Sequence, residues 1–315
     1  MRIVKISGGL GNQMFQYAFA QALKAAGNAD VKLDLGIYRA TSDYNGIDLV
    51  HNGFELKELF DINFDEAARK DVARLSYQPT NLLNRALRKY FTKKTHFIDK
   101  KFSFQPELLS LKEPSMYFEG NWQTEKYFLS IEEEIRNIFT FKKALSPESE
   151  KACSQIGKNS ASIHVRRGDY LKTQTMNVCG KDYYTNAVKK LLELTKIEDF
   201  LLFSDDLEWC RSELKLEDFG AKVVYVDWNK GVDSWQDMAL MSKCNNHIIA
   251  NSSFSWWGAW LDPNKEKIVI CPEIWNLRQL TPEIDKYYRC VYDDILPSSW
   301  IKCPINNGSG NSINN

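Results

Sequence analysis

The second half of the chain repeats one pattern that leaves few folds open. Apolar runs of strand length, at Ser162–Val165, Phe200–Ser204, Lys222–Val226, His247–Ala250 and Lys267–Cys271, alternate with stretches of helical spacing at Tyr183–Leu194, Leu207–Leu214, Ser234–Lys243 and Phe254–Leu261. Strands joined by single helices must run parallel, because a parallel neighbour is reached only by a crossover. The expected fold class is therefore α/β, with a parallel, doubly wound sheet in the C-terminal half. In such sheets ligands gather at the carboxyl ends of the strands, beside helix N-termini.

The first half is less regular. Ile3, Val4 and Ile6 read as a strand, Gly8-Gly9-Leu10-Gly11-Asn12-Gln13 as a turn, and Met14, Phe15, Tyr17, Ala18 and Leu23 as a helix. Val31–Leu35 and Met116–Gly120 suggest further strands, and Glu125–Phe139 a closing helix. From Ser42 to Gln105 the pattern blurs into short basic helices, such as Leu82–Arg88, and loops. A linker is expected near Lys142–Pro147. With 315 residues, the chain divides into an N-terminal Rossmann-like domain, 1–145, a C-terminal one, 146–303, and a disordered tail, 304–315, too polar to offset its ordering entropy.

Charge and cysteine content exclude several classes. Forty-one Lys and Arg balance 41 Asp and Glu, so no overall field gathers a nucleic acid and any anion must be held locally. Seven cysteines, an odd number with no Cys-x-x-Cys pair, fit buried thiols in a reducing cytoplasm better than disulfides or zinc. Met1–Ile6 enters the first strand with no signal sequence, and no apolar run nears the ~20 residues of a membrane helix. The expectation is a cytoplasmic protein, at most peripheral to a membrane.

Three polar clusters stand at predicted strand ends. In Ile163-His164-Val165-Arg166-Arg167-Gly168-Asp169-Tyr170, two arginines need an anion or a carboxylate, and a diphosphate would meet that need without a metal. The bland alternative is an arginine paired with Asp169. In Phe203-Ser204-Asp205-Asp206, one aspartate caps a helix or contacts the nucleotide or the arginine loop. Adjacent carboxylates on one turn diverge, so they make poor metal ligands. In Asn251-Ser252-Ser253-Phe254-Ser255-Trp256-Trp257-Gly258, a strand runs at once into a helix, and free N–H groups, hydroxyls and the dipole converge as on an anion. Three tryptophans among Trp256, Trp257 and Trp260 exceed the needs of one packing face, so sugar binding or cleft closure enters as a reading for some of them. The glycine turn lacks both Gly-x-Gly-x-x-Gly and a P-loop lysine, and says only that backbone approaches something closely. His51, His96 and His247 are isolated and receive no role.

These four motifs, from Gly8–Tyr17 through His164–Tyr170 and Phe203–Asp206 to Asn251–Gly258, together resemble the bacterial α-1,2-fucosyltransferases of glycosyltransferase family 11 over most of the chain. The resemblance implies a GT-B-like architecture of two facing Rossmann-type domains, with GDP-fucose held mainly by the second. It implies that Arg166 binds the β-phosphate and that His164 lies against the nucleoside. Asn12 would reach the diphosphate or fucose from the first domain. Asp205, Asn251, Ser252, Ser253 and Ser255 complete the expected donor site. The implied reaction is inverting transfer of fucose to a galactose-containing glycan such as an O-antigen or capsule, with no cofactor and no metal. Asp169 is the candidate base, or else an orienting partner for an arginine; a base from the acceptor domain is equally open. Another linkage, or a noncatalytic GDP- or glycan-binding module, are the rivals.

Overall fold

The computed structural model describes residues 1–39, 52–77, 93–173, 175–280, 292 and 294–305. The tail beyond 305, the Leu82–Arg88 helix and His51 lie outside the described residues. The chain forms two compact units, Met1–Lys143 with Tyr287–Ile295, and Ala144–Lys286 with Leu296–Asn315. Hence part of the segment assigned above to the C-terminal domain belongs to the first unit. There Tyr292 stacks on Phe102, ring centroids 5.1 Å apart, and Asp294 accepts from Phe104 N at 2.8 Å and pairs with Lys126.

In the first unit, β1 (Arg2–Lys5), β2 (Val31–Asp34), β3 (Asp65–Glu66), β4 (His96–Ile98) and β5 (Met116–Glu119) form one parallel sheet in the order β3-β2-β1-β5-β4. The helix Leu10–Ala25 is buried along most of its length, and its Phe19 stacks on Trp122 at 4.2 Å and meets Phe118 and Tyr127 edge-on. The expected helix Glu125–Phe139 is three pieces: 3₁₀ turns at Glu125–Tyr127 and Leu129–Ile131, then an α-helix only at Glu132–Ile138. Tyr127 and Phe128 are both buried although adjacent. Consecutive residues of a regular helix point about 100° apart, so burying both large rings favours breaking the helix between them.

The second unit has six parallel strands, β6 (Ser160–Val165), β7 (Asp199–Ser204), β8 (Lys222–Val226), β9 (Asn246–Ile248), β10 (Ile268–Pro272) and β11 (Ile301–Cys303), in the order β11-β10-β9-β6-β7-β8. Read from β8, that is the doubly wound order 3-2-1-4-5-6 of dinucleotide-binding folds. Helix Lys181–Leu194 seals one face by burying Tyr183, Tyr184, Ala187, Val188 and Leu191 at helical spacing. Leu207–Leu214, expected as one helix, is an α turn at Leu207–Trp209 and a π turn at Cys210–Leu214 that ends at Lys215 with φ 45°. β9 stops at Ile248, short of the expected Ala250, because the chain turns there toward the cap of the next helix, Ser253–Leu261.

Trp256, Trp257 and Trp260 belong to the core. They are 0%, 0% and 3% exposed and pack on one another, with Trp256 also on Trp300. Burial on all sides overturns the reading of any of them as a sugar platform or a closing element, since a side chain without exposed surface has no face to offer. His247 is equally internal: its Nδ1 lies 2.8 Å from Ser162 Oγ and its Nε2 3.1 Å from Asp262 Oδ2. Of the seven cysteines, the six within the described residues are free thiols, five of them buried.

Gly258 lets the tryptophan helix lie against Trp235–Met241, for a Cβ there would come within 2.9 Å of Met241 Cβ. Met241 Cβ is fixed to its own helix and cannot swing away. Gly258→Val is therefore expected to destabilise the protein by about 1–3 kcal/mol, measured by urea unfolding.

Candidate active site

A sheet whose order reverses leaves a crevice between the strands that part company, and here those are β6 and β9. The arginine loop follows β6 and the serine-rich loop follows β9, so two of the three clusters are brought together by topology alone. β7, on the other side of β6, delivers Asp205 and Asp206 to the same edge.

In the arginine loop every charge is met. Arg166 lies 2.7 Å from Asp169 Oδ1 and 3.3 Å from Asp205 Oδ2, while Arg167 Nε donates to Asp206 Oδ2 at 2.9 Å. Asp205 also accepts from Arg167 N at 2.8 Å, and Asp206 caps the following helix by accepting from Trp209 N at 3.2 Å. The two arginines thus point to different partners, as side chains leaving an extended segment in alternation must. Arg167 further stacks over the Trp209 ring at 3.8 Å, a contact in which a planar guanidinium lies flat on the ring where an ammonium can offer only its point charge. Gly168 is required by proximity: a Cβ there would lie 2.9 Å from Asp205 Oδ2.

Across the crevice, Ser252 is the N-cap of the nine-residue helix Ser253–Leu261, its Oγ accepting from Phe254 N at 3.3 Å. Ser253 is half-buried, whereas Ser255 is buried with its Oγ donating to Ser252 O at 3.4 Å. Asn251 is fully committed to the protein: Nδ2 donates to Met176 O at 3.0 Å and Trp275 O at 2.9 Å, and Oδ1 accepts from Cys179 Sγ at 3.6 Å. Its amide fastens three loops and has no donor left for a ligand, so its part in a donor site is to hold the serine turn in place. Tyr170, to which the motif gave no separate role, ties the two loops together. Its OH donates to Asn251 O at 3.3 Å, its ring lies 5.6 Å from the Arg166 guanidinium, and burial raises its pKa to about 12.

His164 is the penultimate residue of β6, ahead of the arginines and 7% exposed, with its ring 5.8 Å from that of Phe254 and its Nδ1 without a hydrogen-bond partner. Burial, and secondarily the charge of Arg166, push its pKa down to about 3, so the ring is neutral at physiological pH. Among the described residues no group of three or more His, Cys, Asp or Glu side chains is placed to hold a metal, and no helix is long and apolar enough to cross a membrane.

Asn12 belongs to the first unit, at the reversal of its own sheet between β1 and β5. Its Oδ1 accepts from Gln123 Nε2 at 2.8 Å, and Gly8, at φ 79°, would place a Cβ 2.8 Å from Asn12 Nδ2. The residues read as a donor site therefore fall into two groups, Asn12 on one unit and all the others on the second.

Two parallel sheets with a polar crevice at the reversal of the second define a glycosyltransferase of GT-B-like architecture once the known proteins of similar sequence and fold are considered. The chain belongs to glycosyl transferase family 11, whose family model matches residues 1–291. It is 34% identical over 310 residues to an alpha-1,2-colitosyltransferase of Escherichia coli, covering 95% of this chain and 98% of that protein. The O-antigen biosynthesis glycosyltransferase WbnK, also of Escherichia coli, is 28% identical over 86% of this chain and 93% of its own. The galactoside alpha-(1,2)-fucosyltransferase 1 of Bos taurus is 28% identical over 167 residues, 49% of this chain and 46% of that one. In fold, the chain resembles the NodZ alpha-1,6-fucosyltransferase in a crystal soaked with GDP-fucose, with a TM-score of 0.51 at 15% identity, over 87% of this chain and 94% of that one.

The buried neutral His164 sets a pH dependence. Its folded pKa is depressed below the unfolded value of 6.5, so the unfolded state binds the extra proton. This group costs no stability above about pH 6.5 and makes the fold less stable as pH falls from there toward 3. Wild type and His164→Gln should therefore differ in urea unfolding by an offset that is constant above pH 7 and shifts steadily against the wild type between pH 6.5 and 4.5.

Proposed function

We propose that this glycosyltransferase moves L-fucose from GDP-β-L-fucose to the 2-hydroxyl of a galactose-containing acceptor glycan, with inversion and without a metal. The observation that carries the reading is the crevice itself. Arg166 on one side and the capped start of Ser253–Leu261 on the other supply a fixed positive charge, hydroxyls and the positive end of a helix where a strand-order reversal exposes them.

Inversion is a single displacement: the acceptor oxygen bonds to C1 of fucose as the bond from C1 to the β-phosphate oxygen breaks, and the electron pair leaves with GDP. Negative charge grows on the diphosphate as that bond lengthens. A guanidinium and helix N–H groups already in position stabilise that charge without reorganising, which is the larger part of what such a site contributes. Ser252 and Ser253 offer hydroxyls to the phosphates, while Asn251 and Tyr170 keep the two loops in register. His164 offers the nucleoside an uncharged ring. The resemblance to the family assigns Asn12 of the first unit to the donor as well.

A second reading concerns the sugar. The relative at 34% identity is named a colitosyltransferase, and colitose is fucose without its 3-hydroxyl. The two donors share GDP and the reacting carbon, so the site above serves either, and a comparison of GDP-fucose with GDP-colitose separates them. With GDP-fucose and a panel of lactose, N-acetyllactosamine and galactosyl-β-1,3-N-acetylhexosamines, we expect an α-1,2-fucoside by product NMR, formed undiminished in EDTA. Binding of GDP without any turnover would instead favour a noncatalytic module. Loss of transfer in chelator, restored by Mn²⁺ or Mg²⁺, would overturn metal independence.

The arginines are expected to differ. Arg166→Lys keeps charge but loses the fork that matches phosphate oxygens, and should lower kcat by ~10²–10³, nearly as much as Arg166→Ala. Arg167→Lys loses a stack and one ion-pair geometry remote from the crevice, and should cost less than about tenfold. Steady-state kinetics on both variants, with folding checked by circular dichroism, measure this directly.

A further inference from the structure

β8 forms one edge of the second sheet, with β7 as its neighbour. Asp199 lies opposite Lys222 in that pair, and Lys222 N donates to Glu198 O at 2.9 Å. Bonds to a parallel neighbour come from alternate residues. Lys222, Val224 and Val226 therefore direct their backbone groups to β7, while Val223 and Tyr225 turn theirs outward. Among the described residues nothing bonds those outward N–H and C=O groups. Natural edges are usually blunted by proline, a bulge or an inward charge. The run Val223-Val224-Tyr225-Val226 has neither proline nor glycine and consists of strong strand formers.

Beside this edge a groove of about 270 Å³ runs between the sheet and helix Pro147–Gln155. Leu201 and Val224 line it from the sheet, and so does Trp228, held by its Nε1 donating to Ser149 Oγ at 2.9 Å. Glu148 and Lys151 border it from one face of the helix, three positions apart, and Asp199 and Lys222 from the strands. Among the described residues none of these four has an ion-pair partner. The rim thus carries two acids and two bases. A partner of single sign, such as a nucleic acid or an acidic membrane surface, would meet as much repulsion as attraction there. A second copy of the same patch is different: an isologous contact sets each patch against itself and needs the charges balanced within it.

We propose that β8 and this groove form the interface of a two-fold symmetric dimer, in which β8 pairs antiparallel with β8 of a second copy and the two sheets become continuous. A two-fold axis at Val224 is the register that gives both outward residues a partner within the strand. Val223 exchanges hydrogen bonds with Tyr225 of the second copy, and Tyr225 with its Val223. A β-branched side chain then faces an aromatic one, a favourable cross-strand pair. Val224 meets itself at the axis, and the two grooves adjoin on the same face of the sheet.

Sedimentation equilibrium of the full chain at micromolar concentration should give twice the mass of one chain. Val224→Lys sets two ammoniums against each other at the axis and should weaken self-association at least ~10-fold. Val223→Pro removes an outward N–H while leaving the bonds to β7, and should weaken it likewise; circular dichroism checks that each variant is folded. Oxidative cross-linking with copper phenanthroline tests the register. In Val224→Cys the facing Cα atoms lie about 4.5 Å apart, within disulfide range, whereas in Lys222→Cys the equivalent atoms are ~14 Å apart. Disulfide-linked dimer should form above the wild-type background in the first and not in the second, an arm that stands even if the other two variants do not fold. A monomeric wild type, or a folded Val224→Lys or Val223→Pro as dimeric as the wild type, overturns the proposal. So does Val224→Cys that cross-links no better than the wild type or no faster than Lys222→Cys.

Discussion

The candidate site depends on β6 having a neighbour on each side that is reached in a different direction. β7 follows it one way, and β9 is reached only after the chain has laid down β8 and returned. Crossover helices therefore leave β6 and β9 toward opposite faces, and the edge between them stays uncovered. Arg166 and Ser252 are close in function because of that topology, though 86 positions separate them in sequence. What remains is to hold two loops steady at an open edge, and the side chains that do so are Asn251, with three hydrogen bonds, and Tyr170, with one.

Electrostatics at this edge are arranged before any ligand arrives. Two guanidiniums face three carboxylates, so neither sign is left unmet in a partly desolvated place where an unpaired charge would be costly. The pairing is unequal. Arg167 has a carboxylate and an aromatic face, which together fix its plane. Arg166 has two carboxylates that approach from the same loop and the next strand, and an anion at the crevice would compete with them for the same nitrogens. Preorganisation of this kind favours a transition state that builds charge over a ground state that already has it.

Much of the second unit was legible because its strands are buried on both faces. Such strands read as continuous apolar runs, and the expected Phe200–Ser204 is found as Asp199–Ser204 with its four central residues buried. The first unit hid β3 and β4. Asp65 and Glu66 are both exposed and only two residues long, so no hydrophobic period exists to be read. The arginine loop announced itself by charge, but the commitment of Asn251 to Met176 and Trp275 did not, since a local motif carries no record of which distant carbonyls its amide will meet. The same limit applies to Trp256, Trp257 and Trp260. Three tryptophans in five positions suggested excess, and only the tertiary fold brings Trp300 and the bare backbone of Gly258 against them to absorb that volume.

The two units solve one steric problem in the same way. In each, the loop after the strand at the reversal contains a glycine whose missing Cβ makes room for a polar side chain of the site: a Cβ at Gly8 would fall 2.8 Å from Asn12 Nδ2, and one at Gly168 2.9 Å from Asp205 Oδ2. Only Gly8 also needs the left-handed backbone, at φ 79°. At Gly168 the backbone is open to any residue, so the restriction there is contact alone. A methyl group at that position would press on the carboxylate that orients Arg166, and through it on the guanidinium. The glycines at these turns thus act on the chemistry by setting how near the polar groups of neighbouring strands can come, which explains why a glycine turn can mark a functional edge without matching any phosphate-binding fingerprint.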